Sequence, residues 1–281
     1  MRPPARSTER GGPAGAGIVV RSRPRLTPVS GGILTPRTLA NSHPALLPLL
    51  TPGLSVLDVG SGPGPLSAEI ARRVDPGTVL GLDVNPRMVA VARDRYPRAK
   101  IPNLTFRRGD VRRSRWRGAF DLVNAASTLR WVPDPQAAVD RMALAVRHSG
   151  HVVVLDIDHV EWSRPPRAWT RLVAALGRWR AAVGLPDGLG GRLGPMLEAA
   201  GLAVVEVIAR RTEVRAGDDD FFRVAGAWRM LAESRGRQVV AAGFCTAGER
   251  QEAIGAFTAW MQDAAAAQVT REITAIGRRA G

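Results

Sequence analysis

The chain has 281 residues, 45% apolar content, a formal net charge of +15 and one cysteine. Cys245 alone excludes an intramolecular disulfide and argues against a cysteine zinc cluster; no apolar run reaches the ~18–20 residues that span a bilayer. Arg2 and Arg6 precede no apolar signal core, so a cytoplasmic protein without a membrane span is expected. Lys100 is the only lysine, so nearly all the positive charge is arginine. No zinc knuckle, RNP-type aromatic strand or KH-like loop accompanies it, and a nucleic-acid partner is not expected.

Residues 1–30 are rich in Arg, Pro and Gly and carry little that can be buried, so a disordered arm is expected. Thr38 to Leu50 reads as a short helix made irregular by Pro44 and Pro48. Strands are then expected at Ser55–Val59, Thr78–Asp83, Leu104–Arg108, Phe120–Ala125 and His151–Ile157. Helices are expected between them at Pro65–Val74, Pro86–Asp94 and Pro135–Arg147, each with proline in its first turn. This alternation predicts an α/β fold with a doubly wound, mostly parallel sheet. Beyond residue 160 come helices over Arg167–Ala182 and Arg192–Ala200, a long strand Ala203–Arg215, and helical stretches near 218–235 and 247–267. Thr270–Arg278 reads as a last edge strand. The expected organisation is a core over 31–216, a helical insert or lid over 217–268, and a final edge strand over 269–281.

The chemistry concentrates in Asp58-Val59-Gly60-Ser61-Gly62-Pro63-Gly64, a strand ending in an acid followed by a glycine loop and a helix. A second strand ends in Asp83. This is the frame of a nucleoside-cofactor site. The glycine spacing is wrong for a dinucleotide: counted from Gly60, the third glycine falls on Pro65. An acid at the first strand end would also repel a pyrophosphate. It suits a cationic ligand such as S-adenosylmethionine (SAM), and glycines let backbone approach that ligand. Asp83 is placed to accept ribose hydroxyls, with Val84 and Met88 against the adenine.

These residues resemble the class I SAM-dependent methyltransferases, particularly the small-molecule type related to ubiquinone/menaquinone-biosynthesis and trans-aconitate methyltransferases. Three further stretches carry the resemblance: Arg108-Gly109-Asp110-Val111, Phe120-Asp121-Leu122-Val123-Asn124-Ala125-Ala126, and Leu129-Arg130-Trp131-Val132-Pro133-Asp134-Pro135. It spans roughly residues 35–212. It implies a seven-stranded sheet with its last strand antiparallel, SAM as cofactor, and methyl transfer to a small-molecule O, N or C atom. The implied cofactor residues are Asp58, Gly60, Ser61, Gly62, Gly64, Asp83, Val84, Met88, Gly109, Asp110, Val111, Asn124, Ala125 and Leu129.

Methyl transfer from a sulfonium is an in-line displacement that asks the protein chiefly for alignment and water exclusion. Of the four histidines, His159 follows the fifth strand and is the candidate base or substrate contact. His43, Trp131 and Trp162 are the other candidate acceptor contacts. No metal site is expected. A homodimer is compatible with this reading. The alternatives are an RNA methyltransferase, using the arginines at 107, 108, 112, 113, 115 and 117, and a SAM-binding protein whose activity is lost or altered.

Overall fold

The computed structural model describes residues 37–281; the expected arm over 1–30 lies outside them. A short helix α1 (Leu39–Ser42) is opened by a capping box on Thr38, and proline-rich 44–49 continues as a 3₁₀ turn. Seven strands form one sheet: β1 (Ser55–Val59), β2 (Thr78–Asp83), β3 (Leu104–Arg108), β4 (Phe120–Ala126), β5 (Val146–Trp162), β6 (Ala203–Arg215) and β7 (Ala267–Arg278). Their order is β3-β2-β1-β4-β5-β7-β6, with β7 antiparallel to both neighbours. The helices α2 (Pro65–Val74), α3 (Pro86–Arg95) and α4 (Pro135–Ala145) cross between the parallel strands.

Local chemistry sets these elements. Asn85 and Asp134 cap α3 and α4 through their side chains, and a proline occupies the first turn of α2, α3 and α4. Burial of Val56, Leu57, Val59, Val123, Ala125, Val152 and Val154 on the central strands marks a sheet covered on both faces. The strand order reverses between β1 and β4. In open α/β sheets the crevice beyond the strand carboxyl ends at such a point is the ligand site.

The final strand is not at the edge. β7 lies between β5 and β6, its stretch Ile273–Gly277 is buried, and β6 forms the edge with Val205 and Val207 exposed. β5 also runs five residues past the expected Ile157, through a bulge and onward to Trp162, paired with the start of β7. On this extension stand α5 (Arg167–Ala182), α7 (Phe221–Ser234), α8 (Gly236–Ala241) and α9 (Ala247–Trp260), while α6 (Leu193–Ala199) packs on the main sheet. Their core is aromatic: Trp169 stacks on Phe257 with ring centroids 3.8 Å apart, and Phe257 stacks on Trp260.

Candidate functional site

The loop after β1 takes left-handed backbone at Gly60, Gly62 and Gly64, with φ of +74, +55 and +86°. A side chain at Gly60 would collide with Thr128, and one at Gly64 would meet the Phe106 ring at 2.5 Å. Glycine is therefore required there by conformation and by space. Thr128, just past β4, hydrogen-bonds to the carbonyl of Val59 at 3.2 Å. The ends of β1 and β4 are thus tied together around the loop.

Two buried carboxylates flank it. Asp83 Oδ2 accepts the Gly62 N–H at 2.9 Å and Oδ1 accepts the Asn85 N–H at 2.7 Å. Each oxygen keeps lone-pair capacity for a further donor. Asp58 accepts the Ser67 hydroxyl at 2.5 Å and the Asn124 amide N–H at 2.9 Å. Burial pushes both acids above the ordinary carboxylate value; hydrogen bonds oppose this in each case. The Ser61 hydroxyl is buried without a partner.

The network continues into the N-terminal segment. Asn124 gives its N–H to Asp58, so its oxygen receives His43 Nε2 at 2.9 Å. His43 therefore carries its proton on Nε2, and its Nδ1 is buried without a partner. Burial pulls its pKa down to about 4; the Asn124 bond opposes this, and Arg37 and Arg210 reinforce it. His43 is a sealed, neutral imidazole within a Ser67–Asp58–Asn124–His43 chain that joins α2, β1, β4 and the segment after α1.

The remaining sequence candidates divide. Ala125, Val111 and Leu129 are buried in the core beneath the loop. The Gly109 N–H donates to the Asp83 carbonyl at 2.9 Å. Asp110 is half-buried and held by Arg112. Burial raises its pKa, but the Arg112 hydrogen bonds and charge outweigh that and set it below the ordinary value. Val84 is 58% exposed beside Asp83, whereas Met88 is fully buried, so only Val84 offers the ligand a surface.

His159 stands on the far part of β5. Because β5 continues to Trp162, His159 sits on a side of the extension that faces outward, pairs with Glu161 at 3.2 Å, and has a side chain 62% exposed. Its ion-pair partner lies on the same strand and not in the glycine loop. Asp158 turns to Arg271, and Asp156 turns inward to accept the Arg130 N–H at 3.0 Å. Trp162 ends the same strand. It packs edge-on to Trp169, Trp228 and Phe257, and its indole N–H is bonded to Gln268, so it belongs to the aromatic core of the cap.

Trp131 lies just after β4, and its neighbours come from distant parts of the chain. Arg130, Arg180 and Arg235 surround its ring. The arginines near β3 are partly engaged within the protein: Arg107 lies over Trp116 and Arg112 holds Asp110. Among the described residues no helix is long and apolar enough to cross a membrane, and no group of three or more His, Cys, Asp or Glu could hold a metal.

A glycine loop between two buried carboxylates, at the switch point of an open α/β sheet, defines a nucleoside-cofactor protein whose carboxylate acceptors suit hydroxyls and positive charge. A family model described as a methyltransferase domain matches residues 50–201, and the chain belongs to that family. It is 37% identical over 156 residues to trans-aconitate 2-methyltransferase of Methylobacterium radiotolerans, covering 56% of each chain. It is 35% identical over 127 residues to ubiquinone biosynthesis O-methyltransferase of Photorhabdus laumondii, covering 44% of this chain and 49% of that one. These matches span about half the length of the curated relatives. Phosphoethanolamine N-methyltransferase 2 of Haemonchus contortus, solved with SAM, shares the fold: TM-score 0.54, 15% identity, 84% of this chain and 52% of that chain.

Proposed function

We propose that this chain binds SAM at the β1–β4 switch point and transfers its methyl group to a small-molecule acceptor. The observation that carries the reading is the pairing of Asp58 and Asp83 across a loop in which a side chain at Gly60 or Gly64 would collide with its neighbours. The site fits the cofactor. Asp83 is fixed by two backbone donors and has lone pairs left for ribose hydroxyls. The unpartnered Ser61 hydroxyl and the loop backbone offer further polar contacts, and among the described residues no Lys or Arg is hydrogen-bonded to either acid.

Bound there, SAM supplies a methyl group already activated on a sulfonium. The protein's part is placement. Asp83, Gly62 and Gly109 hold one side, with Val84 as the open apolar surface. Burial raises the Asp58 pKa and the Ser67 and Asn124 hydrogen bonds oppose that rise; a cationic ligand nearby would favour its charged form further. His43 anchors the N-terminal segment over β4. The insert over 217–268 acts as a cap on the acceptor: α7 and α8 bring Trp228 and Arg235 against Arg130 and Trp131 at the end of β4. Such a cap excludes water from the transfer.

The test is to supply methyl-labelled SAM with a cell extract separated into small molecules, RNA and protein. Label in the small-molecule fraction is expected. Label confined to RNA would transfer the assignment to the arginine-rich surface, and label in no fraction would oppose any transferase reading.

A further inference from the structure

The positive charge of this chain is not spread evenly over it. Residues 86–119 hold eleven Lys and Arg against Asp94 and Asp110, so 34 residues carry +9 of the formal net charge of +15. Residues 1–36 carry +5, which leaves +1 for 37–85 and 120–281 together. A general bias toward arginine would raise the charge throughout. In this chain acids balance the arginines over nearly all the described residues and fail to do so in one stretch.

Topology gathers that stretch on one side of the molecule. β3 is an edge strand, α3 leads into it and packs on it, and the segment 109–119 leaves it for β4. The Arg107 guanidinium carbon lies 5.1 Å from the centroid of the Trp116 ring, which fastens this segment to β3. Arg112 is paired with Asp110. Arg98, Lys100, Arg108, Arg113, Arg115 and Arg117 are exposed, and none of them has an ion pair among the described residues. Like charges crowded along one edge repel one another, and a polyanion laid over them relieves that repulsion.

The chemistry of the surface narrows the partner. A protein interface is built round an apolar centre, and a membrane surface takes up inserted apolar side chains. Of the large apolar side chains exposed among the described residues, Val91 alone belongs to 86–119. Addition of an acidic strand to the β3 edge is hindered, because Arg93 donates to the Phe106 carbonyl through Nε at 3.1 Å and a terminal nitrogen at 2.7 Å. RNA is read by stacking of unpaired bases on aromatic rings, or through its 2′-hydroxyls by polar side chains. Trp116 has Arg107 over its face and Phe120 against its edge. Asn103 uses its side-chain N–H groups on the carbonyls of Ala71 and Gly77, and the Ser114 hydroxyl is buried. What remains is guanidinium, whose fork of donors matches phosphate, in the highly positive, apolar-poor setting of a DNA interface. We propose that α3, β3 and the segment 109–119 form a docking surface for duplex DNA, held through the phosphate backbone and indifferent to base sequence. Arg108 stands in register with Asp83, so the surface begins beside the cofactor loop; β4, which leads to Trp131 and the cap, lies beyond β2 and β1. DNA docked there anchors the protein and takes no part in methyl transfer. No nucleic-acid module is written in the sequence; the distribution of charge is what departs from that expectation.

The experiment is fluorescence anisotropy of a labelled DNA duplex of about 20 base pairs, titrated with the full chain between about 50 and 200 mM salt. The slope of log K against log salt should be about −3 or steeper, and two duplexes of different sequence should bind within about twofold of each other. The combined variant Arg113→Gln, Arg115→Gln, Arg117→Gln should lower the steepness by about 2–3 and the affinity by about tenfold or more at the lowest salt. A charge-matched control, Arg167→Gln, Arg211→Gln, Arg278→Gln, removes three exposed arginines elsewhere; it should change the affinity by less than about threefold. All six side chains are exposed, so both variants should melt within a few degrees of the parent. S-adenosylhomocysteine (SAH) should bind both variants within about twofold of the parent, since none of the six touches the glycine loop. Lack of DNA binding at the lowest salt, a slope near zero, or parent-like affinity in the Arg113 variant would each overturn the proposal. So would equal losses in the two variants, tighter binding to single-stranded RNA of the same length, or binding to phosphatidylglycerol vesicles without binding to DNA. DNA binding by a parent that does not bind SAH would sustain this surface and remove the methyltransferase reading; SAH binding without DNA binding would do the reverse.

Discussion

Asn124→Leu is the perturbation that tests the buried relay most sharply. The substitution keeps the branching and heavy-atom number of the side chain and deletes the amide that bridges Asp58 Oδ1 and His43 Nε2, each at 2.9 Å. All three residues are buried, so water cannot replace the lost partners. Loss of a hydrogen bond to a charged group costs about 1.5–3 kcal/mol, and an unsatisfied buried donor about 1–3 kcal/mol. A total of roughly 3–5 kcal/mol is therefore expected. His43→Phe should cost about 1–3 kcal/mol by stranding the Asn124 oxygen. The two share one bond, so the double variant should be less destabilised than the sum, with a coupling of about 1–2 kcal/mol. Urea unfolding of the four proteins measures this, with equal m-values required for the comparison. Additivity within about 0.5 kcal/mol, or a cost below about 1 kcal/mol for Asn124→Leu, would refute the relay.

Other consequences follow from the same geometry. His43 is held at about 4 against an ordinary 6.5, so between those values the unfolded chain binds the proton and the folded one does not. Its contribution, about 3 kcal/mol, is complete above pH 6.5 and is lost as pH falls toward 4; in His43→Phe the unfolding free energy should fall less steeply over that window, and an unchanged slope would contradict the assignment. Gly60→Ala forces a side chain onto Thr128 with φ positive; it should cost about 2–4 kcal/mol and abolish SAH binding, and wild-type behaviour would deny the loop its tight closure. His159→Ala removes only an exposed pair with Glu161; stability should stay within about 0.5 kcal/mol and turnover should be unchanged, so a tenfold loss of kcat would restore His159 as a base.

Much of the core was legible because its punctuation is local. Pro52-Gly53 and Asp75-Pro76-Gly77 mark turns at strand and helix ends, and prolines open three helices. The glycine loop, Asp58 and Asp83 could be named for the same reason. The end of β5 could not. Asp158-His159-Val160-Glu161 is a half-exposed antiparallel segment, and its polar residues read as loop until β7 is seen beside it. The length of β5 decides where both residues stand, His159 on an exposed strand extension and Trp162 in the aromatic core of the cap. The interior position of β7 did leave a trace in Ile273-Thr274-Ala275-Ile276-Gly277, too uniformly buried for an edge.

The two charged networks were hidden for different reasons. His43 and Asn124 are 81 residues apart, and no local pattern encodes their meeting. Arg180 and Arg235 sit in helical sequence where an arginine ordinarily faces water, within a chain whose cations are nearly all arginine. Only the packing of α5 and α7 against the turn after β4 separates these buried side chains from the many solvated ones.

The central claim is that Asp58, Asp83 and the glycine loop hold SAM and not a dinucleotide. Calorimetric titration of the full chain with SAH and with NAD⁺, repeated on Asp83→Ala, tests it most directly. SAH should bind, NAD⁺ should not, and Asp83→Ala should weaken SAH by about 1.5–3 kcal/mol, the cost of hydrogen bonds to a charged acceptor. Preference for NAD⁺, or an SAH affinity untouched by the loss of Asp83, would contradict the account.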